Sequence, residues 1–598
     1  MLSLCIAVPR ILACCPSAAL PGIPGRIGQR ASSSAALTSA PSKLRNMRLV
    51  GERRMIHGNA LHNSLLEPIF LAHTALNAHA PDQTLPDLYL DPHLQPQLDP
   101  TMTPTKPHLM PSEKRHQKAA KPLLAGLLGA WLATHTLSTF GDTEGTSDRT
   151  LTRVSPHAQT VTAVADQLWE WAELGYLETQ SSGLLQSTLA DAGFEISAGI
   201  GGIPTAFTAT FGSGNPVIGI MGEFDALPGI SQAAVPYAEA IDGKPSGHAC
   251  GHNLFGAGSL GAALAVKDWL EASGQAGTVR FYGTPAEEGG SGKVYLVRAG
   301  AFDDVDVALH WHPGDDNTAS PSSTLANKSA KFRFSGVSSH AAAGPERGRS
   351  ALDAIEAMNF MVNLLREHVP EETRIHYVIT EGGIAPNVVP NFAESFYYVR
   401  HPNAGVLATL WDRLIDAAKA AALGTGTTLE YEVIHGNHSV LPNEVLARVA
   451  YDHLLSLGGP HYDEADQAFA TEIAKTLPSG RYEAGSEGVI EPFEIKQSKG
   501  STDVGDVSWN VPTVGLGTAT FVPGTGLHTW QAVATGGTPL AHKGTLLAAE
   551  VLAATAIDLL SQPDLVAAAT AEFNERRGPD FAYVPLLGDR DPPLDYRR

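Results

Sequence analysis

The sequence predicts an α/β protein: a mixed, mostly parallel sheet covered by helices, carrying an inserted ferredoxin-like unit. Three observations point there. Between about residues 206 and 310, short apolar runs alternate with segments of helical periodicity. Between about 328 and 433 the order becomes β-α-β-β-α-β, the split βαβ arrangement. After Asn443 helices return, and one more apolar run, Val511–Leu516, completes the first sheet.

Taken in order, Val161, Val164, Leu168, Trp169 and Trp171 recur at helical spacing from Gln159 to Glu173. A second helix, Ser182–Ala192, stops at Gly193. Ala206–Phe211 and Val217–Gly222 read as strands. An Ala/Gly-rich helix follows from Leu254 to Leu270. Thr278–Gly283 reads as a strand, Val294–Ala299 as a helix and Val305–His310 as a strand. The insert then comprises strand Lys328–Gly336, helix Ser350–His368, strands Arg374–Glu381 and Glu394–Arg400, helix Val406–Ala422 and strand Thr427–Val433. Helix Ala541–Leu560 closes the first domain. The division is 150–322 and 439–578 for the main domain, 323–438 for the insert and 579–598 for a polar, Pro-rich, irregular tail.

A net charge of −21 with no basic stripe in the body argues against nucleic acid as a partner. Cys5, Cys14 and Cys15 sit near the start and only Cys250 in the body, so there is no disulfide framework. Residues 1–109 read as a leader, disordered or outside the working protein: no acid occurs before Glu52, and 82–107 is Pro-rich and aperiodic. Residues 110–141 have the build of a signal peptide. Lys114, Arg115, Lys118 and Lys121 precede the apolar run Leu123–Ala133, and polar residues follow. The run is too short for a stable membrane span. The expectation is export to the periplasm if that signal operates, and a cytoplasmic protein otherwise.

The chemistry concentrates at Gly247-His248-Ala249-Cys250-Gly251-His252-Asn253, where a thiol and an imidazole lie two residues apart in a Gly-broken loop. The helix that follows puts this loop at a positive dipole end, which favours the thiolate. Alone, the pair equally reads as a buried cysteine beside a hydrogen-bonded histidine. Asp225 comes just after the strand Val217–Gly222, where it can orient a metal-bound imidazole or simply start a turn before Pro228. Glu287-Glu288 follow another apolar strand and precede Gly289-Gly290. One acid can ligate metal while its neighbour deprotonates water, although adjacent acids are commonly just solvated. His310 and His312 alternate at the end of the next strand, and His528 lies far along the chain. Together Cys250, His252, Glu288, His312 and His528 suit two adjacent divalent metals, zinc or manganese, sharing a bridging thiolate.

The stretches GEFDALPG, GHACGHNLFGAGS, GTPAEEGGSGK, HWHP, SSHAAAGPERGRSALDAI, APNVVPNFAE, STDVGDVSW and LHTWQ resemble, in order over about 155–570, the aminoacylase/carboxypeptidase family of dinuclear metallopeptidases, in its amidohydrolase branch. The resemblance implies a metal-binding catalytic domain and a ferredoxin-like lid that dimerises. It implies Cys250 as the bridge, His252, Glu288, His312 and His528 as the other ligands, and Glu287 as general base. His310 departs from the pattern and makes the strand-end ligand ambiguous; His312 is preferred because it directly precedes the proline. Asn253 departs from the aspartate of the wider branch. His340 resembles the histidine that crosses a dimer interface to polarise the substrate carbonyl, and Asn387 and Arg400 resemble groups that hold the substrate carboxylate. For Arg400 the competing reading is a surface strand arginine. The implied activity is hydrolysis, by metal-activated water, of a small N-acyl amino acid with an aryl acyl group, such as p-aminobenzoyl-glutamate, in a homodimer or a heterodimer with a paralogous subunit. Other aminoacylase or dipeptidase specificities, or a non-catalytic subunit, are the rivals; the presence of Glu287 and Cys250 opposes the last.

Overall fold

The computed structural model describes residues 154–597. The leader and the signal segment expected from the sequence lie outside that range. The main sheet uses strands β1 (Glu195–Ala198), β2 (Phe207–Ser213), β3 (Val217–Gly222), β4 (Gly277–Gly283) and β5 (Val307–Gly314). Across the sheet they run β1-β2-β4-β3-β5, and a strand from far downstream, Thr513–Ala519, adds to β5. The pairs β4–β3, β3–β5 and β5 with Thr513–Ala519 are parallel, whereas β2 runs antiparallel to both neighbours. Parallel strands need helical crossovers and end on the same side, which gathers their C-terminal loops at one edge.

Helices α1 (Ala158–Trp171), α2 (Thr179–Asp191), α3 (His252–Ser273) and α4 (Gly292–Arg298) precede the insert. α3 is buried along nearly its whole length because Ala and Gly allow it to lie close on the sheet and on the helix Pro539–Ser561. Among the described residues that last helix alone is long and apolar enough to cross a membrane, and it is mostly buried in this core.

The insert adds β6 (Ala326–Ser335), α5 (Ala351–Leu365), β7 (Arg374–Glu381), β8 (Phe392–His401), α6 (Ala404–Thr425) and β9 (Thr428–Asn437). The sheet order is β7-β8-β6-β9, antiparallel throughout, the ferredoxin-like topology. Its helices begin at side-chain caps: Ser350 accepts from the Asp353 N–H, and Asn403 from the Val406 N–H. Phe332, Phe334, Tyr397, Met358, Leu410 and Leu414 fill a core separate from that of the main domain.

β3 and β7 occupy the residues read from the sequence, while other boundaries move. The β5 strand continues past His310 to Gly314 because its backbone is paired residue for residue with Thr513–Ala519. That partner begins after Pro512, whose ring nitrogen has no hydrogen to donate. α3 starts at His252, directly after Gly251, so the imidazole is already on the helix. The segment 579–597 forms neither helix nor strand, yet Tyr583, Leu587, Leu594 and Tyr596 pack against Tyr176, Tyr295 and Val507 of the main domain.

Candidate active site

The C-terminal ends of β3, β4 and β5 lie side by side. Glu223 and Asp225 follow β3, Glu287 and Glu288 follow β4, and His312 stands near the end of β5. The β4 loop is sharply bent: Ala286, Gly289 and Ser291 have φ of 58°, 91° and 57°. It is pinned where the Ala286 N–H donates to the buried carboxyl of Glu178 at 2.8 Å. Between Cys250 and His252, Gly251 has φ 77°, and a Cβ there would lie 2.7 Å from Pro313 Cβ. Only glycine allows both side chains to turn to the same place. His528 is brought in by its own N–H, which donates to the Ala249 carbonyl at 2.9 Å.

Three groups of potential metal donors result among the described residues, and Cys250 belongs to two of them. In Cys250–His252–His312, in Cys250–Glu288–His528 and in Glu223–His252–Glu287 the donor atoms lie within 4.8 Å of one another. Cys250 Sγ is 3.5 Å from His312 Nε2, and His528 Nε2 is 3.2 Å from Glu288 Oε1. His312 donates through Nδ1 to the Pro313 carbonyl at 2.8 Å, and His252 through Nδ1 to Asp225 Oδ1 at 2.9 Å. Both rings therefore turn their Nε2 into the site, the arrangement an outer carboxylate or carbonyl imposes on ligating histidines. His252 Nε2, Glu288 Oε1 and Glu223 Oε2 are buried and make no hydrogen bond of good geometry; their near neighbours are one another and His528, at 3.0 and 3.2 Å, and all belong to these clusters. Sulfur, imidazole and carboxylate donors converging in a buried site fit divalent cations. His310 is in none of the groups: its ring lies over Gly515 on the neighbouring strand.

The electrostatics correct one expectation. The Cys250 loop does stand at the start of α3, but burial, followed by the charge of Glu288, pushes the thiol pKa up, so the helix dipole does not produce a thiolate. A thiolate at this position requires a cation beside it. Burial opposes charge on His252, yet the charge of Glu223 and the hydrogen bond to Asp225 hold the imidazole pKa well above its ordinary value. Burial also opposes ionisation of Asp225, but the His252 hydrogen bond and charge win and lower its pKa. Glu287 lies the other way: burial, then Glu223 and Glu288, hold its carboxyl well above the usual range. Burial and the charge of His252 lower His312.

Sequence reasoning does not single out the buried network behind these groups. Glu223 Oε2 lies 3.0 Å from His252 Nε2, and Glu223 Oε1 lies 2.6 Å from Lys293 Nζ. Lys293 continues to Asp503 Oδ1 at 2.7 Å, and the Lys293 N–H donates to Asp503 Oδ2 at 2.9 Å. All four residues are buried. The available signal is a lone lysine heading the apolar stretch Val294–Val297, since a buried cation requires partners.

The insert contributes from two places. Arg400, on β8, is paired with Asn327 of β6, donates to Ser501 Oγ at 3.4 Å and lies within electrostatic reach of Glu287. Asn387 and His340 lie beyond the opposite end of the same sheet. His340 follows β6, Asn387 precedes β8, and the Ala341 N–H donates to the Asn387 carbonyl at 3.0 Å. The His340 Nδ1 accepts from the N–H groups of Ala342 and Ala343, both at 3.2 Å, which leaves the proton on Nε2 of this exposed residue. The Asn327–Arg400 and Ser335–Phe392 pairs mark the two ends, eight steps apart along β6. At about 3.4 Å per residue the ends are roughly 27 Å apart.

A mixed α/β domain that gathers thiol, imidazole and carboxylate groups around a shared sulfur at its strand ends, beside a further carboxyl, defines a metal-dependent hydrolase. The chain belongs to peptidase family M20/M25/M40, whose model matches residues 219–532. It is 43% identical over 435 residues to one of the subunits of p-aminobenzoyl-glutamate hydrolase from Escherichia coli, covering 68% of this chain and 90% of that protein. It is 32% identical over 440 residues to the Xaa-Arg dipeptidase of Mus musculus, covering 71% and 91%. The fold is that of an aminohydrolase candidate from methicillin resistant Staphylococcus aureus, with TM-score 0.50 at 17% identity over 69% of this chain and all of the other. The protein is a metal-dependent amidohydrolase acting on carbon–nitrogen amide bonds.

Proposed function

We propose that this chain hydrolyses the amide of an N-acyl amino acid with an aromatic acyl group, p-aminobenzoyl-glutamate being the substrate to test first. The observation that carries the reading is the pair of donor groups sharing Cys250, with the Glu287 carboxyl beside them. Cys250, His252 and His312 would hold one divalent cation, and Cys250, Glu288 and His528 a second, zinc or manganese in each case. When bound, the cations polarise the amide carbonyl and acidify the attacking water.

The protein groups divide the remaining work. Glu287 takes the proton of the water and returns it to the leaving nitrogen. Asp225 fixes the ring of His252 and, through Oδ2, the N–H of Glu288 at 2.9 Å, so one carboxylate sets two candidate ligands. Arg400 presents a guanidinium to the substrate carboxylate, where a forked donor matches two oxygens. The Nε2–H of His340 is the donor for the developing oxyanion, and Asn387 assists at the carboxylate end.

Because His340 and Arg400 sit at opposite ends of one sheet, we infer that each site takes His340 and Asn387 from a second chain, a copy of this one or a paralogue. The subunit designation of the Escherichia coli relative supports an assembly of chains. The test is a panel of p-aminobenzoyl-glutamate, other N-acyl amino acids and dipeptides ending in arginine, assayed after chelation and after return of zinc or manganese. Metal-dependent cleavage of the aryl-acyl glutamate above the other substrates is expected. Preference for the arginine dipeptides transfers the assignment to a dipeptidase, and absence of cleavage with metal bound favours a non-catalytic subunit.

A further inference from the structure

The loop that carries Glu287 and Glu288 is gripped at four places. The Glu178 carboxyl takes the Ala286 N–H, Asp225 takes the Glu288 N–H, and the Tyr176 hydroxyl donates to the Gly290 carbonyl at 2.6 Å. The remaining grip comes from the far end of the chain. The Glu288 carbonyl accepts from the Tyr596 hydroxyl at 3.0 Å and from Arg597 Nη2 at 2.6 Å. Two donors on one carbonyl satisfy both of its lone pairs. They do so where the backbone departs from helix, with Glu288 at ψ 64° and Gly289 at φ 91°.

The path to that contact is built rather than draped. The Tyr583 hydroxyl donates to Asp506 Oδ1 at 2.7 Å, and His438 Nε2 donates to the Val584 carbonyl at 2.9 Å. Leu587 is buried and passes so close to β9 that a Cβ on Gly436 would lie 2.7 Å from its nitrogen. The Arg590 carbonyl accepts from Arg298 at 2.7 Å, while the Arg590 guanidinium binds Glu432 of β9 at 2.9 Å. Tyr596 then meets the ring of Tyr176 edge-on, centroids 5.7 Å apart, and Arg597 lies 4.8 Å over the Tyr596 ring. The aromatic and ionic contacts along 583–597 deliver a hydroxyl and a guanidinium to one backbone oxygen.

We propose that this C-terminal strap is a positioning element of the metal centre. By holding the Glu288 carbonyl, Tyr596 and Arg597 fix the peptide that follows the carboxylate and so aim it toward His528 and Cys250. The strap also grips β9 of the insert, so the same segment ties the near end of the lid to that ligand. The inference rests on the reading of Glu288 as a metal ligand. Groups that orient ligands in this way are typically worth about 10–100-fold in metal affinity or activity.

The experiment uses the full chain with Tyr596→Phe and Arg597→Met combined, which keeps the ring and the stem and removes both donors. Metal per chain is measured by competition with a graded chelator, together with kcat and KM. The expected result is a roughly 10-fold or greater loss of affinity at one of two sites, retention at the other, and a fall in kcat with little change in KM. Arg597→Lys, which returns a donor, should recover part of both. Wild-type affinity at both sites with unchanged kcat in the double variant overturns the proposal. If the double variant does not fold, Tyr596→Phe alone decides on the same readouts, with unchanged affinity and kcat again the refuting result. Failure of the underlying reading looks different: the unaltered chain itself would then bind no metal, or the Glu288→Gln chain would bind it undiminished.

Discussion

The two ends of the inserted sheet are built for opposite purposes. At the near end Arg400, Tyr398, His435 and Asn437 are buried or half-buried, and β9 runs on into His438 and Ser439, which are buried against the main domain. At the far end Val337, Ile384, Val388 and Phe392 are exposed beside His340 and Asn387. An isolated domain gains nothing from presenting four apolar side chains around a histidine already set up as a donor. The near end packs on its own catalytic domain, and the far end offers the exposed apolar surface that the proposed second chain would cover. The difference divides the candidate chemistry into groups whose loss should be felt within a chain and groups whose loss should be repairable by a neighbour.

The largest effect is expected at the near end. Glu287→Gln removes proton transfer while leaving the donor groups around Cys250 in place, so turnover should fall by about 10²–10⁴ at unchanged metal content. Near-normal turnover would remove Glu287 from the role of base. At the far end, His340→Ala should cost about 10²–10³ in kcat, the worth of one oxyanion donor, with metal content and melting temperature unaltered. Mixing the two inactive chains sharpens the contrast. With free exchange of chains half the dimers are mixed and each holds one intact site, so about a quarter of the original activity should return. Verified exchange without any recovery breaks the in-trans assignment. Cys250→Ser should lower metal affinity at both sites at once, because the sulfur is common to both groups. Two metals per chain surviving dialysis would show that the bridge is misassigned.

How much of this is legible in the sequence follows the physics of each feature. β3 and β7 can be read to the residue because apolar content and β-branched side chains are local. The ends of β5 and of Thr513–Ala519 cannot, since cross-strand pairing sets them. Cys250, His252, Glu288, His312 and His528 stand out in the sequence because each carries chemistry in its own type and sits beside Gly, Pro or an apolar strand. Glu223, Lys293 and Asp503 do not, because an acid or a lysine announces burial only once its partners are known. The upward push on the Cys250 thiol escapes the sequence for the same reason: the helix dipole is visible there, the burial that opposes it is not. The tail reads as polar and irregular and is indeed without helix or strand, but nothing local says that its last residues reach Glu288.

The smallest expected effect tests the far end as a surface rather than as a catalyst. Ile384 is fully exposed, in the loop between β7 and β8 that leads to Asn387. Val378 and Ile379 continue the apolar surface along β7, which is an edge strand of the insert. An exposed apolar edge of this kind is commonly covered by another chain. Burying an isoleucine side chain stabilises an association by about 1.5–3 kcal/mol, so Ile384→Asp should weaken dimerisation by about tenfold or more. If each site takes His340 from a neighbour, as proposed, specific activity of the variant should fall on dilution over a range where the unaltered protein holds constant, and saturating concentration should restore it. Metal content should not change, because the donor groups lie in the main domain, away from this end of the insert. Sedimentation and activity measured over the same dilution series check both halves of the claim. A variant that dissociates yet keeps full specific activity would show that the far end joins chains without completing their sites.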